Sequence, residues 1–271
     1  MRQGRLPNVL NPSGHRSGSS GFVLLHTLWL LLLVIAIVMG TSLIGRRAAD
    51  NITAYETRLR LDLAAESAIY DAVFELLEQG TQSRWVRDHG KVRTLYIDEQ
   101  TVDLAVTNVH GIVDINTADQ RLLERLLANL PGIDVPAVIA GRIQVHKQNG
   151  KEDNRLTTYS DLSAILSLSL EDFACLYPYI TLFSGRLEPS AALTSDRLKK
   201  MIGQAKRDEE QLSAMEGGLS VAGEVFRITA AVHSDSPKTN RLSAEVLLTG
   251  RRDMPYLIRS WIWVPNCEAQ T

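Results

Sequence analysis

The 271-residue chain is 45% apolar with a net charge of −2, which excludes disorder throughout and allows one substantial core or two small ones. Its first 21 residues hold Arg2, Arg5 and Arg16 and no acid, so the remainder carries −5 and lacks the basic footprint of a nucleic-acid binder. Two cysteines are too few for a disulfide framework: Cys175, in the apolar context Phe173-Ala174-Cys175-Leu176, reads as an inert buried thiol and Cys267 as part of a terminal tail, a single bridge between them being the alternative.

Residues 1–21 form a polar leader, rich in Gly and Ser from Pro12 to Gly21. Residues 22–44 follow without Asp, Glu, Lys or Arg, broken by the polar His26, Thr27, Thr41 and Ser42. At about 1.5 Å per residue this helix spans a hydrocarbon core of about 30 Å. A secretory signal would have a shorter apolar region and a small-residue cleavage site. Flanking charge does not orient the segment, because Arg46 and Arg47 balance the leader. Beyond Gly45 the pattern stays helical to a stop at Gln79-Gly80. Ile52, Tyr55, Leu59, Leu63, Tyr70, Val73 and Leu77 recur at helical spacing, and this stripe is expected to be the buried one.

Residues 92–97 and 101–109 alternate as two strands around a turn near Asp98-Glu99-Gln100. An isolated hairpin is marginal in water, and the strands that could join it come only after residue 220. One presents Phe226, Ile228, Ala230 and Val232, a second Leu242, Ala244, Val246 and Leu248. In a third, Leu257, Arg259, Trp261 and Trp263 alternate with Tyr256, Ile258 and Ile262. Turns are expected at Ser234 to Asn240 and Gly250 to Pro255. Between the two sets the pattern is helical: Asn116 is expected to cap a leucine helix, Pro131-Gly132 turns the chain into a second, Ser169 caps a short one stopped by Pro178, and 195–215 is a further stretch.

The expected fold is therefore α+β: a long N-terminal membrane-spanning helix over a small antiparallel sheet, with an all-helical subdomain inserted between strands. The boundaries are 1–21 leader, 22–44 membrane helix, 45–110 soluble half-helix and first strands, 111–218 helical insert, 219–264 remaining strands and 265–271 tail.

The junction Gly21-Phe22 resembles the prepilin peptidase site of type IV pilins and pseudopilins, where a basic leader ending in Gly is removed on the cytoplasmic side. Gly111-Ile112-Val113-Asp114-Ile115-Asn116-Thr117-Ala118, a leucine helix, Leu130-Pro131-Gly132, a second helix and Thr157-Thr158-Tyr159-Ser160-Asp161-Leu162 follow the order found in the protein K family of the type II secretion system. The likeness runs from Gly21 to Trp263. It implies a pilin-like sheet interrupted by a helix-hairpin-helix or SAM-like domain. Phe22 becomes the mature N-terminus, and His26 stands at the fifth mature position, where other pilins carry Glu and protein K characteristically does not. The implied role is a minor pseudopilin at the pseudopilus tip, single-pass in the inner membrane with a periplasmic domain. Implied partners are other minor pseudopilins resembling proteins I and J, then H, the major pseudopilin, protein G, and the prepilin peptidase. Members of the family can bind calcium; here Asp208-Glu209-Glu210 lacks a calcium loop, so a solvated acidic face is expected and no cofactor is assigned.

The rival is a membrane-anchored DNA-binding protein of the uptake type, since Asn116 to Ile165 also resembles a helix-hairpin-helix module. Its hairpin reads Gly132-Ile133-Asp134, however. A carboxylate at the second glycine position repels phosphate, and Lys147 and Lys151 are too few for a basic stripe. No nucleic acid is expected. The six scattered histidines and the absence of a phosphate loop or nucleophile elbow point away from an enzyme. His110 reads as a loop residue, and Tyr177, Tyr179 and Phe183 as core.

Overall fold

The computed structural model describes residues 20–148, 155–204, 220–233 and 241–267. The chain divides into two compact units, one ending at Arg58 and one beginning at Leu59. Helix α1, Ser20–Gln79, contributes to both. Within the first unit its stretch Leu24–Thr41 is long and apolar enough to cross a membrane, and all of its side chains are exposed. Thr27 Oγ1 donates to the Leu24 carbonyl at 2.9 Å and Thr41 Oγ1 to that of Val38 at 3.0 Å. Hydroxyls turned back on the helix are satisfied without water, as hydrocarbon surroundings require.

In the second unit α1 ends at Gln79 and a short helix α2 (Arg84–Arg87) leads to β1 (Val92–Ile97) and β2 (Gln100–Asn108). Then come β3 (Val113–Asp114), α3 (Gln120–Leu127), α4 (Pro136–Gln148), α5 (Tyr159–Leu166), α6 (Leu170–Leu176), β4 (Ile180–Thr181) and α7 (Asp196–Ile202). Strands β5 (Val225–Val232), β6 (Arg241–Leu248) and β7 (Tyr256–Val264) complete the unit. One five-stranded sheet runs in the order β1-β2-β5-β6-β7, antiparallel at every pairing. Because β2 pairs directly with β5, everything between them is an insertion at neighbouring strands, and β3 and β4 form a separate two-stranded parallel sheet within it.

Alternation explains the sheet's front face. Val102, Leu104 and Val106, the even residues of β5 from Phe226 to Val232, and those of β6 from Leu242 to Leu248 pack on α1 in one core. Two expectations fail here. The apolar residues α1 buries are Ala64, Ala65, Ala68, Ile69, Ala72, Val73 and Leu76. Of the expected stripe only Val73 is among them; Ile52, Tyr55, Leu59, Leu63, Tyr70 and Leu77 are exposed. The face turned to the sheet is built mostly of small side chains, with Ile69, Val73 and Leu76 filling the gaps between them. Strand β7 also departs from simple alternation. A β-bulge at Arg259 sets Ser260 opposite Glu245 but Ile258 opposite Val246, so Tyr256 and Ile258 share the α1-facing side with Trp261 instead of opposing it.

The insert has its own core, built from leucines of α3, Ile139 and Ile143 of α4, and Tyr159, Leu162, Phe173, Leu176, Tyr177 and Tyr179. Val135, just before α4, and Val138, in its first turn, are exposed. Ser169 caps α6 as expected, accepting from Asp172 N at 3.1 Å and donating to its carboxylate at 2.6 Å. The cap of α3 is Asp119, not Asn116. Asn116 instead accepts from Leu156 N at 2.8 Å and donates to the carbonyls of Leu156 and Leu182, fastening three segments that are far apart in sequence. The expected stretch 195–215 forms a helix as far as Ile202, capped by Ser195; its later part and the turn Ser234 to Asn240 lie outside the described residues. Cys175 and Cys267 are joined in a disulfide, which corrects the expectation of an inert thiol and an unpaired tail. The end of β7 brings Cys267 onto α6 and buries it.

Candidate functional site

The residues singled out at the N-terminus fall at the start of α1. Gly21 and Phe22 lie in its first turn, one residue after Ser20, and the leader before Ser20 lies outside the described residues. His26 is exposed one turn further on, its ring stacked against Phe22 with centroids 6.2 Å apart.

The feature that sequence reasoning inverted is the outer side of α1. In the second unit Leu59, Leu63, Tyr70, Phe74 and Leu77 form a row at helical spacing, and even Phe74 is 64% exposed. Tyr70 rests against Trp261 of β7, ring centroids 5.8 Å apart. The helix is thus apolar on two sides: a narrow alanine-rich one against its own sheet and a bulky one turned outward. The run of alanines at 64, 65, 68 and 72 was the available signal, since four alanines at helical spacing mark a close approach.

The hairpin of the DNA-binding reading is occupied by acids. Gly132 has φ +77°, and a Cβ there would fall 1.9 Å from an Asp172 carboxylate oxygen, so only glycine fits the turn. That carboxylate stands beside the turn and Asp134, two residues on, is exposed, so negative charge lies where a phosphate would have to approach. Lys147 turns inward and donates to the Ala118 carbonyl at 2.8 Å; Lys151 lies outside the described residues. Asp208-Glu209-Glu210 lies outside them too, and among the described residues no three His, Cys, Asp or Glu side chains are grouped as metal ligands. His110 is not merely a loop residue: its Nδ1 lies 2.9 Å from Glu224 Oε2, and Asn108 donates to the same oxygen at 2.9 Å. This cluster sits where the chain leaves β2 and rejoins the sheet at β5. There Gly111 packs so tightly that a Cβ would stand 2.2 Å from the Leu193 carbonyl oxygen.

A buried polar centre lies between sheet and insert and was not anticipated. Arg227 of β5 and Glu245 of β6 are paired directly across the strands, with Nη2 2.6 Å from Oε1 and side chains 5% and 0% exposed. Tyr159 donates to Glu245 Oε2 at 2.8 Å, and Thr181 to Oε1 at 3.0 Å. Arg227 donates to Tyr159 Oη at 2.9 Å, to the Tyr177 carbonyl at 2.7 Å and to that of Ile180. Tyr177 donates to Ser243 at 2.9 Å, and the Arg227 guanidinium lies 4.1 Å from the centre of its ring. Burial opposes the guanidinium's charge, but Tyr177, Glu245 and Tyr159 together hold its pKa above the ordinary value. Burial likewise pushes the Tyr177 phenol up to about 12 and the Tyr159 phenol well above its usual range. Both phenols therefore stay protonated and donate. The sequence signal was an opposed Arg and Glu at the outward positions of two strands otherwise rich in apolar residues.

No family model matches the chain, and no curated protein matches it. Among solved structures it is similar to the crystal structure of the GspK-GspI-GspJ complex from the enterotoxigenic Escherichia coli type 2 secretion system, at 12% identity and a TM-score of 0.46, over 80% of this chain and 99% of that one. The architecture itself defines the class: an α+β protein with one N-terminal apolar helix that fits a single-pass anchor, and an antiparallel sheet interrupted by a helical insert.

Proposed function

We propose that the chain is a minor pseudopilin of the type II secretion kind, anchored in the inner membrane by the N-terminal part of α1 with its sheet and insert in the periplasm. It serves assembly, not catalysis: it starts and caps the pseudopilus tip for export of folded proteins. The observation that carries this reading is the outward stripe of α1. The sheet is already covered by the alanines with Ile69, Val73 and Leu76, so Leu63, Phe74 and Leu77, with the exposed part of Tyr70, serve a contact with another chain. Burying each such side chain between subunits is worth roughly 1.5–3 kcal/mol. The expected partners are subunits resembling proteins I and J, then H, and the major pseudopilin, protein G.

Two further features support the reading. A disulfide between Cys175 and Cys267 suits an oxidising compartment, as the periplasm is. His26, at the fifth position after Gly21-Phe22, offers no carboxylate to a neighbour's amino terminus within the bilayer, which suits the subunit with no earlier neighbour. Cleavage by the prepilin peptidase after Gly21 leaves Phe22 first. Mass spectrometry of the mature N-terminus tests this: methylated Phe22 is expected, and an intact Met1 or a start near residue 45 overturns it. Immunogold on sheared pseudopili tests the tip; label recurring along the shaft refutes that placement.

A further inference from the structure

The insert meets the back of the sheet mostly through apolar side chains. Val225, Leu247, Ile262 and Val264 pack into the insert's core. Such burial is non-directional: it holds two layers together but barely distinguishes one rotation of the insert on the sheet from another. At the centre of this contact stands the Arg227–Glu245 pair. A buried ion pair is seldom a net source of stability, since apolar side chains of similar size usually do as well or better. What the pair adds is direction. Its partners on the insert are two backbone carbonyls at the end of α6 and the start of β4, the Tyr159 hydroxyl on α5 and the Thr181 hydroxyl on β4. Three separate insert elements are thus tied to one point on β5 and β6, and any rotation leaves a charge buried and unpaired. The Cys175–Cys267 bridge joins the insert to the end of β7 at a single point and leaves rotation about it open.

We infer that Arg227 and Glu245, with Tyr159, form an orientation lock: they select one placement of the helical insert on the sheet, and this, not stability, is their role. The test uses the full chain in detergent micelles with the disulfide intact, spin-labelled through Arg121→Cys on α3 and Tyr96→Cys on β1, both exposed positions. Electron-spin distance measurements should give a single narrow distribution. In Arg227→Met with Glu245→Leu the melting temperature should hold or rise, while the distribution broadens or splits. Tyr159→Phe removes one hydroxyl and keeps the charges paired, and should broaden it less. A distribution as narrow as the unsubstituted chain's in the double variant, or in Tyr159→Phe should the double variant not fold, overturns the lock.

Discussion

His89 is held in one protonation state by a single hydrogen bond. Its Nε2 accepts from the backbone N–H of Asn108 at 2.9 Å, a role that a protonated imidazole cannot fill. Burial pushes its pKa below the ordinary 6.5. The sign follows from proton counts. Below about pH 6.5 the unfolded chain takes up a proton at this ring that the folded chain refuses, so stability is full above that pH and is lost as pH falls through 6.5 toward the depressed folded value. The Glu224 carboxyl, lowered chiefly by its hydrogen bond from His110, and that of Asp103, lowered chiefly by Thr94, titrate well below this window. In His89→Gln the side-chain oxygen still accepts the N–H and does not titrate. Its melting temperature should therefore fall less between pH 7.5 and 5.5 than that of the unsubstituted chain; parallel losses in the two proteins would show that His89 is not the sensor.

At the scale of the element, α1 makes opposite demands on its two sides. Ala68 has no exposed surface beneath the sheet, so Ala68→Leu should cost about 1–3 kcal/mol through overpacking, read as a lower urea midpoint. Phe74 points outward, and Phe74→Ser should change the stability of the isolated chain by less than about 0.5 kcal/mol. The same substitution should weaken co-purification with partner subunits. If it unfolds the chain and leaves association alone, the assignment of the two sides is reversed. Periodicity placed a helix over this stretch correctly but took the largest side chains to be the buried ones. Size predicts burial only where the neighbouring layer leaves room, and that spacing is set by the sheet.

The second unit is cross-linked through Cys175 and Cys267, 92 residues apart. A cross-link over so long a loop removes much of the unfolded chain's freedom. Replacing both cysteines with serine should lower the unfolding free energy by about 2–4 kcal/mol. Reduction of the unsubstituted chain should lower the urea midpoint similarly, and an unchanged midpoint would show that the bridge stabilises nothing.

Sequence alone determined the features that local spacing controls. The charge-free run from Phe22 to Ile44 marked the apolar part of α1, long enough to cross a membrane, alternation marked the α1-facing residues of β2, β5 and β6, and the Ser169 cap announced α6; each depends on residues within a few positions of one another. Tertiary structure alone decided the rest. The alanine-rich side of α1 faces the sheet, packed with the inward residues of β2, β5 and β6, and the bulge at Arg259 turns the first half of β7 because of its pairing with β6. Asn116 gives up the helix cap to hold Leu156 and Leu182, Cys267 reaches α6, and Arg227 meets Tyr159 and Tyr177 across the insert. These are contacts between segments tens of residues apart, within the insert for Asn116 and between insert and sheet for Cys267 and Arg227, and no local pattern encodes where such segments meet.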